Sequence, residues 1–228
     1  MKKALNASAK ESKRPASARP GPSDRATTFA HPVGALRELA LNTSSVLVAR
    51  FNHLGKSVNR STVVDDMVRF RANGSGADWF IDAVWRAGDL PIGTRLQKLK
   101  FLCWGSPMLR QLLFTLLDSI LPLKGRPATK LLVCEHTPLV AWFIELVLRY
   151  AYISVRVLHA GLDQEQRSEY IREFNEPNSR LQVLIIQYNV TAQGVNMHKA
   201  CYTCFVSSPA RNAALEIQAW GRLLRVSY

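Results

Sequence analysis

The chain has 228 residues, 47% hydrophobic and 21% charged, which is enough for one large or two small globular domains. Thirty Lys and Arg stand against 17 Asp and Glu, and the formal net charge of +13 favours an anionic partner without choosing one. Four scattered Cys exclude a disulfide scaffold, and the runs Leu112–Leu123 and Pro138–Leu148, broken by Asp118 and Glu145, fall short of the roughly 20 residues of a membrane span.

The first residues, M-K-K-A-L-N-A-S-A-K, have no apolar core of the kind a secretory signal needs, so the expectation is a soluble, intracellular, basic protein. Residues 1–30 hold seven basic and two acidic residues, seven Ala, four Ser and three Pro, with almost nothing large and apolar. Such a segment does not bury enough surface to offset its ordering entropy, and it reads as a disordered basic tail. Its Lys10-Glu11-Ser12-Lys13-Arg14-Pro15 has the composition of a nuclear-import signal, and equally that of a solvated tail.

In residues 31–105 the apolar stretches Ala35–Leu41, Ser45–Phe51 and Trp79–Val84 alternate with polar turns such as Asn73-Gly74-Ser75-Gly76. No single period dominates, so the region reads as a connector or insertion rather than an independent core. Gly55-Lys56-Ser57 resembles the end of a phosphate-binding loop. That loop needs a glycine at position 50, which is Arg50 here, so an ordinary turn is the better reading.

From residue 106 the pattern becomes regular. Ser106 and Pro107 have N-cap and first-turn chemistry, and Leu109, Leu112, Leu113, Leu116, Leu117 and Ile120 follow helical spacing until Pro122 and Gly125. Lys130–Cys134 predicts a strand, Thr137-Pro138 opens a helix to Tyr150, and Ile153–Leu158 predicts a second strand. Asp163 caps a helix to Phe174, with Gln166 at the reciprocal position of a capping box. Leu181–Ile186 and Tyr202–Val206 complete four strands, and a last helix covers about Asn212–Arg225. Strands alternating with helices imply right-handed crossovers and an α/β fold with a parallel sheet. Ligands of such sheets sit at the carboxyl ends of the strands, here Glu135–Thr137, His159–Gly161, Gln187–Gly194 and Ser207-Ser208.

Cys201-Tyr202-Thr203-Cys204 has the spacing of half a zinc site, but no second pair follows. Period two puts its cysteines on opposite strand faces, so buried free thiols are expected. In the last helix Gln218, Arg222 and Arg225 stand at i, i+4 and i+7 and share a face. Two planar guanidinium forks and an amide suit a polyphosphate, while a solvated basic face is the plainer alternative.

These blocks together resemble, in order and spacing, the C-terminal lobe of the Swi/Snf-like ATPases within the superfamily 2 helicases. Ser106-Pro107-Met108-Leu109-Arg110 resembles the start of that lobe, and K-L-L-V-C-E-H-T (Lys130–Thr137) its motif IV. Leu158–Asn175, with Gly161, Arg167, Ile171, Phe174 and Asn175, resembles the next conserved block, and Val183–Met197 resembles motif V. Q-A-W-G-R-L-L-R (Gln218–Arg225) resembles motif VI.

The resemblance implies a RecA-like second lobe. In it Arg222 and Arg225 would be arginine fingers reaching ATP and magnesium held by a first lobe, and Gln218 would help couple ATP to DNA. Gly194 and Asn196 would link the nucleotide cleft to the nucleic-acid track. Thr137, His159, Gly161 and Thr191 would lie along the DNA backbone, where contacts are sequence-independent. Residues 31–105 would be the variable segment between the lobes, and residues 106–228 an incomplete lobe. Implied partners are DNA, a first RecA-like lobe and chromatin proteins in the nucleus, with no membrane.

The departures are Gln187-Tyr188 where the family has Ser-Thr, Thr191 where Gly is frequent, and Gly221 where many relatives have Asp. Without a phosphate-binding loop and an acid pair for magnesium, the chain alone is not expected to hydrolyse ATP, and it reads as a fragment or partial product. Two other readings remain at this point: a non-catalytic basic DNA- or protein-binding module with relic helicase motifs, and an RNA-helicase lobe of the DEAD-box kind.

Overall fold

The computed structural model describes residues 46–55, 76–120, 129–188, 190, 196–197 and 199–222. Among these the chain forms helices α1 (Val46–Gly55), α2 (Gly76–Val84), α3 (Arg95–Cys103) and α4 (Pro107–Ile120), then strand β1 (Lys130–Glu135) and helix α5 (Pro138–Tyr150). Strand β2 (Val155–Leu158), helix α6 (Gln164–Asn175), strands β3 (Val183–Gln187) and β4 (Cys201–Val206) and helix α7 (Ala213–Trp220) follow.

The four strands form one sheet in the order β2-β3-β1-β4, and every pairing is parallel. The two inner strands, β1 (K-L-L-V-C-E) and β3 (V-L-I-I-Q), are buried at every position, as their unbroken apolar runs require of strands covered on both faces. Alternation splits their side chains between two layers. Leu131, Val133, Val183 and Ile185 face α4 and α5 in one cluster. Leu132, Cys134, Leu184 and Ile186 face Phe174 of α6 and Ala219 of α7 in the other. The α/β architecture with a parallel sheet flanked by helices is therefore the one the sequence predicts.

The helix starts from residue 106 onward are read correctly. Leu109 N donates to Ser106 Oγ at 3.2 Å, and Asp163 and Gln166 complete their capping box at 2.7 and 3.2 Å. Asn212 accepts from Leu215 N at 3.0 Å ahead of α7. That helix ends at Trp220, and Gly221-Arg222 continue as a turn. Pro122 and Gly125, the expected stop of α4, lie outside the described residues, as do residues 1–30.

Before Ser106 the described residues form three helices laid on α5. Phe51 of α1 and Phe80 of α2 stack on Trp142 of α5 at centroid separations of 5.8 and 5.7 Å, inside the same apolar cluster as the sheet. Polar clamps complete the cover. Arg50 forks Asp89 at 2.6 and 3.2 Å, and Lys98 meets Asp78 at 2.5 Å. The Arg95 guanidinium lies over both Tyr150 and Tyr152, 4.3 and 3.9 Å from the ring centres.

One expectation is overturned. Cys201 and Cys204 lie on the same sheet face, because Lys130 pairs with Cys201 and Leu131 with Thr203. Tyr202 is thus the extra residue of a β-bulge, and the one-residue slip restores Cys204 to the face of Cys201. There its Sγ lies 3.5 Å from that of Cys134, and all the described cysteines are free thiols.

Candidate functional site

Parallel strands bring their carboxyl ends to one edge. At the end of β1, Glu135 is fully buried yet well supplied with donors. Its Oε1 accepts from His136 N at 2.8 Å, Thr137 N at 2.7 Å and Ser208 Oγ at 2.7 Å, and its Oε2 accepts from Ser207 Oγ. Burial pushes this carboxyl above the usual carboxylate range, while the hydroxyl and amide donors pull it back down. Thr137 starts α5 ahead of Pro138 but is only 4% exposed, and its N–H is already bonded to Glu135. Of the residues expected along a nucleic-acid track, this one is inside the fold.

The end of β2 is different. Leu162 N donates to His159 O at 3.3 Å and Gly161 N to His159 Nδ1 at 3.2 Å, closing a tight turn. Arg167, one turn into α6, reaches back and donates from Nη2 to Ala160 O at 2.9 Å. Ala160 and Gly161 are exposed at the tip, and a Cβ at 161 would come within 3.3 Å of the His159 ring. Since Nδ1 of His159 accepts a hydrogen bond, the neutral ring carries its proton on Nε2.

On the sheet face covered by α6 and α7, Asn175 Nδ2 donates to Asn196 O at 2.7 Å. The next residue, Met197, is buried, and its N–H donates to Arg222 O at 3.1 Å. Asn196 and Gln218 are exposed, and Arg222 is half-buried with its Nε shielded from solvent. Asn196-Met197, the end of α6 and the turn after α7 are thereby joined by hydrogen bonds. Thr191, Gly194 and Arg225 lie outside the described residues.

The connection from β4 to α7 is also tied down. Tyr188 Oη donates to Ser208 O at 3.0 Å, Arg211 Nε to His136 Nε2 at 3.2 Å and Ala210 N to Glu216 Oε1 at 2.8 Å. Sequence reasoning placed Glu135, Ser207 and Ser208 at strand ends where ligands gather and Arg167 within a motif block, but gave none of them a role. The available signal was an acid closing the apolar run Lys130–Cys134, since a buried carboxylate must find donors.

Serine, histidine and glutamate meet at this edge, but both hydroxyls hydrogen-bond the carboxylate, and the His136 ring accepts from Arg211. The arrangement is one of oriented donors turned onto an internal carboxylate, which fixes the strand end rather than activating a nucleophile. Among the described residues no group of three or more His, Cys, Asp or Glu is placed to hold a metal ion, and no helix is long and apolar enough to cross a membrane.

Comparison with known proteins gives one family. Residues 112–227 match the helicase conserved C-terminal domain. Among solved structures, the C-terminal part of the Fun30 ATPase domain is similar at 21% identity with a TM-score of 0.47, covering 55% of this chain. The similar region spans 38% of that solved chain. No curated protein matches the sequence.

Proposed function

The chain belongs to the helicase conserved C-terminal domain family, and from that premise we propose that it acts as the second RecA-like lobe of a Swi/Snf-like ATP-dependent DNA translocase. In this reading a first lobe holds ATP and its magnesium, and the two lobes close around the phosphates. Arg222 and Arg225 supply charge to the transferred phosphoryl group, which is spread over its equatorial oxygens in the transition state. Gln218 orients helix α7, which leads into them, and Gly194 and Asn196 relate its position to that of the bound strand. The exposed turn at His159–Gly161 lies along the nucleic-acid backbone, where contacts are sequence-independent. Thr191 adds to that track, and Thr137 sets the start of α5 beneath it. Chromatin proteins and a nuclear location belong to the same proposal.

The observation that supports this reading best is the bond from Met197 N to Arg222 O at 3.1 Å. It joins the end of the motif V segment directly to the start of the arginine pair, and in this reading that link carries the coupling of nucleotide to nucleic acid.

The test is complementation. The chain, mixed with or joined to a matching first lobe, is assayed for DNA-stimulated ATP hydrolysis, with and without Arg225→Ala. The expected result is activity absent from either part alone and reduced roughly 10³-fold or more by the substitution. Duplex DNA binding with no hydrolysis in any combination would instead identify a binding module whose helicase motifs are relics. Preference for single-stranded RNA as the stimulating polymer would identify an RNA helicase lobe.

A further inference from the structure

Helix α7 and the turn at Arg222 hang on the connection Ser207-Ser208-Pro209-Ala210-Arg211-Asn212, which contains no large apolar side chain with which to anchor itself. It is held by polar groups instead, and the main ones come from β1, 72 and 73 residues earlier in the chain. We propose that Glu135 is a positioning residue for helix α7, a buried latch that sets where Gln218 and Arg222 stand relative to the strand ends.

Four donors converge on this one carboxylate. Two are the amides of His136 and Thr137, at the start of α5, and two are the hydroxyls of Ser207 and Ser208. The residue therefore joins the start of one helix to the approach of another. Ser208 Oγ also accepts from His136 N at 3.0 Å, so the two segments are bonded to each other directly. Further along the connection, Arg211 meets the neighbouring His136 ring at 3.2 Å. Glu135 at the end of β1 and His136 just beyond it thus grip the connection at both ends, and the Asn212 cap of α7 follows directly.

A carboxylate whose only task is to cap α5 would need the two amides alone. The pairing of Glu135 with two successive serines exceeds that need. Two of its four donors sit on the segment that carries α7, and losing one side of a buried hydrogen-bonded pair leaves the other side unsatisfied. Glu135→Gln keeps the geometry. Its amide oxygen serves the three donors at Oε1, and its NH₂ donates to Ser207 Oγ, whose own proton turns to Cys134 O at 2.9 Å.

What the latch positions matters functionally only through the proposed role of α7, but the latch itself can be read without nucleotide or DNA. Amide hydrogen exchange by mass spectrometry is measured on the full chain, on Glu135→Ala, on Glu135→Gln and on the double variant Ser207→Ala/Ser208→Ala. Exchange across residues 207–222 should quicken about 10-fold or more in the alanine variants, with strands β1 and β3 unchanged. Glu135→Gln should stay within about 3-fold of the parent. Unchanged rates over 207–222, acceleration spread evenly through the sheet, or a glutamine variant as loose as the alanine one would each overturn the latch. If Glu135→Ala does not fold, the serine double variant decides on the same criteria. Because no nucleotide is present, failure here leaves the ATPase complementation to be judged separately, and the reverse holds.

Discussion

Two buried residues at the opposite end of the sheet from the candidate site show how single groups set stability. Lys130 opens β1 and is 6% exposed, yet its ammonium is fully engaged. It donates to Glu173 O at 3.1 Å, Glu176 O at 2.5 Å and Ser179 Oγ at 2.6 Å, so it binds the carbonyls where α6 ends, at the negative pole of that helix. Replacing it with methionine keeps the stem and strips the donors from three acceptors. Lys130→Met should lower unfolding free energy by about 2–4 kcal/mol in urea titrations, with the slope unchanged. Cys201 is fully buried, and desolvation pushes its thiol up from 9.0 to about 12. Below pH 9 both folded and unfolded chains keep this proton, so stability is unaffected. Above it the unfolded chain releases the proton first, and the folded state loses about 1.4 kcal/mol per pH unit until its own thiol ionises. Cys103, pushed up to about 11 by burial, adds in the same direction. Stability should fall between pH 9 and 12, and Cys201→Ala should flatten that fall. A parallel pH profile for the variant would refute the assignment.

At the scale of elements, what could be read from sequence was what is local. Capping chemistry lies within three residues. Asp163 and Gln166 identify the start of α6, and Asp163→Ala should cost about 1 kcal/mol and expose the Gln166 amide to faster exchange. Five- and six-residue runs between capped helices located all four strands to within two residues and implied a parallel sheet, though not the order of its strands. Helices α1–α3 escaped because their apolar positions mix periods. One local signal was nonetheless present, Thr94-Arg95-Leu96-Gln97, which closes a full capping box at the head of α3. The features that stayed hidden are relations between distant segments. The Tyr202 bulge exists only against the register of β1, and it reversed the expected facing of Cys204. The Glu135 pairing with Ser207 and Ser208 links two strand ends that no periodicity connects. The candidate site divides the same way. His159 and Gly161 were placed at a strand end, where the structure has them, whereas the burial of Thr137 depends on packing that its neighbours in sequence do not reveal.

The whole molecule is set by what covers α5. An α/β sheet ordinarily turns the outer side of such a helix to water, but here every residue from Val140 to Leu148 is buried, Glu145 included. The reason is the layer of α1–α3 beyond it. Phe51, Trp79, Phe80, Trp142 and Phe143 form one aromatic cluster with centroid separations from 5.2 to 6.5 Å, and it continues without a break into Val133 and Ile185 of the sheet. Edge-to-face pairs such as Phe80–Trp142 add to the burial of area itself. The family match begins at residue 112, inside α4, so the cover lies outside it although it completes the same core. A polypeptide of residues 106–228 keeps the sheet and every proposed contact residue but exposes the outer face of α5 as an apolar patch, which a monomeric domain does not tolerate well. It should bind a hydrophobic dye and lose its sharp thermal transition, while the full chain melts as a single unit that includes α1–α3. Trp142→Ala in the full chain tests the same interface more gently. The removal of a ring held by Phe51, Trp79 and Phe80 should cost about 3–5 kcal/mol. Equal melting temperatures for the full chain and residues 106–228, with a near-neutral Trp142→Ala, would mean that the cover rests on the lobe without stabilising it.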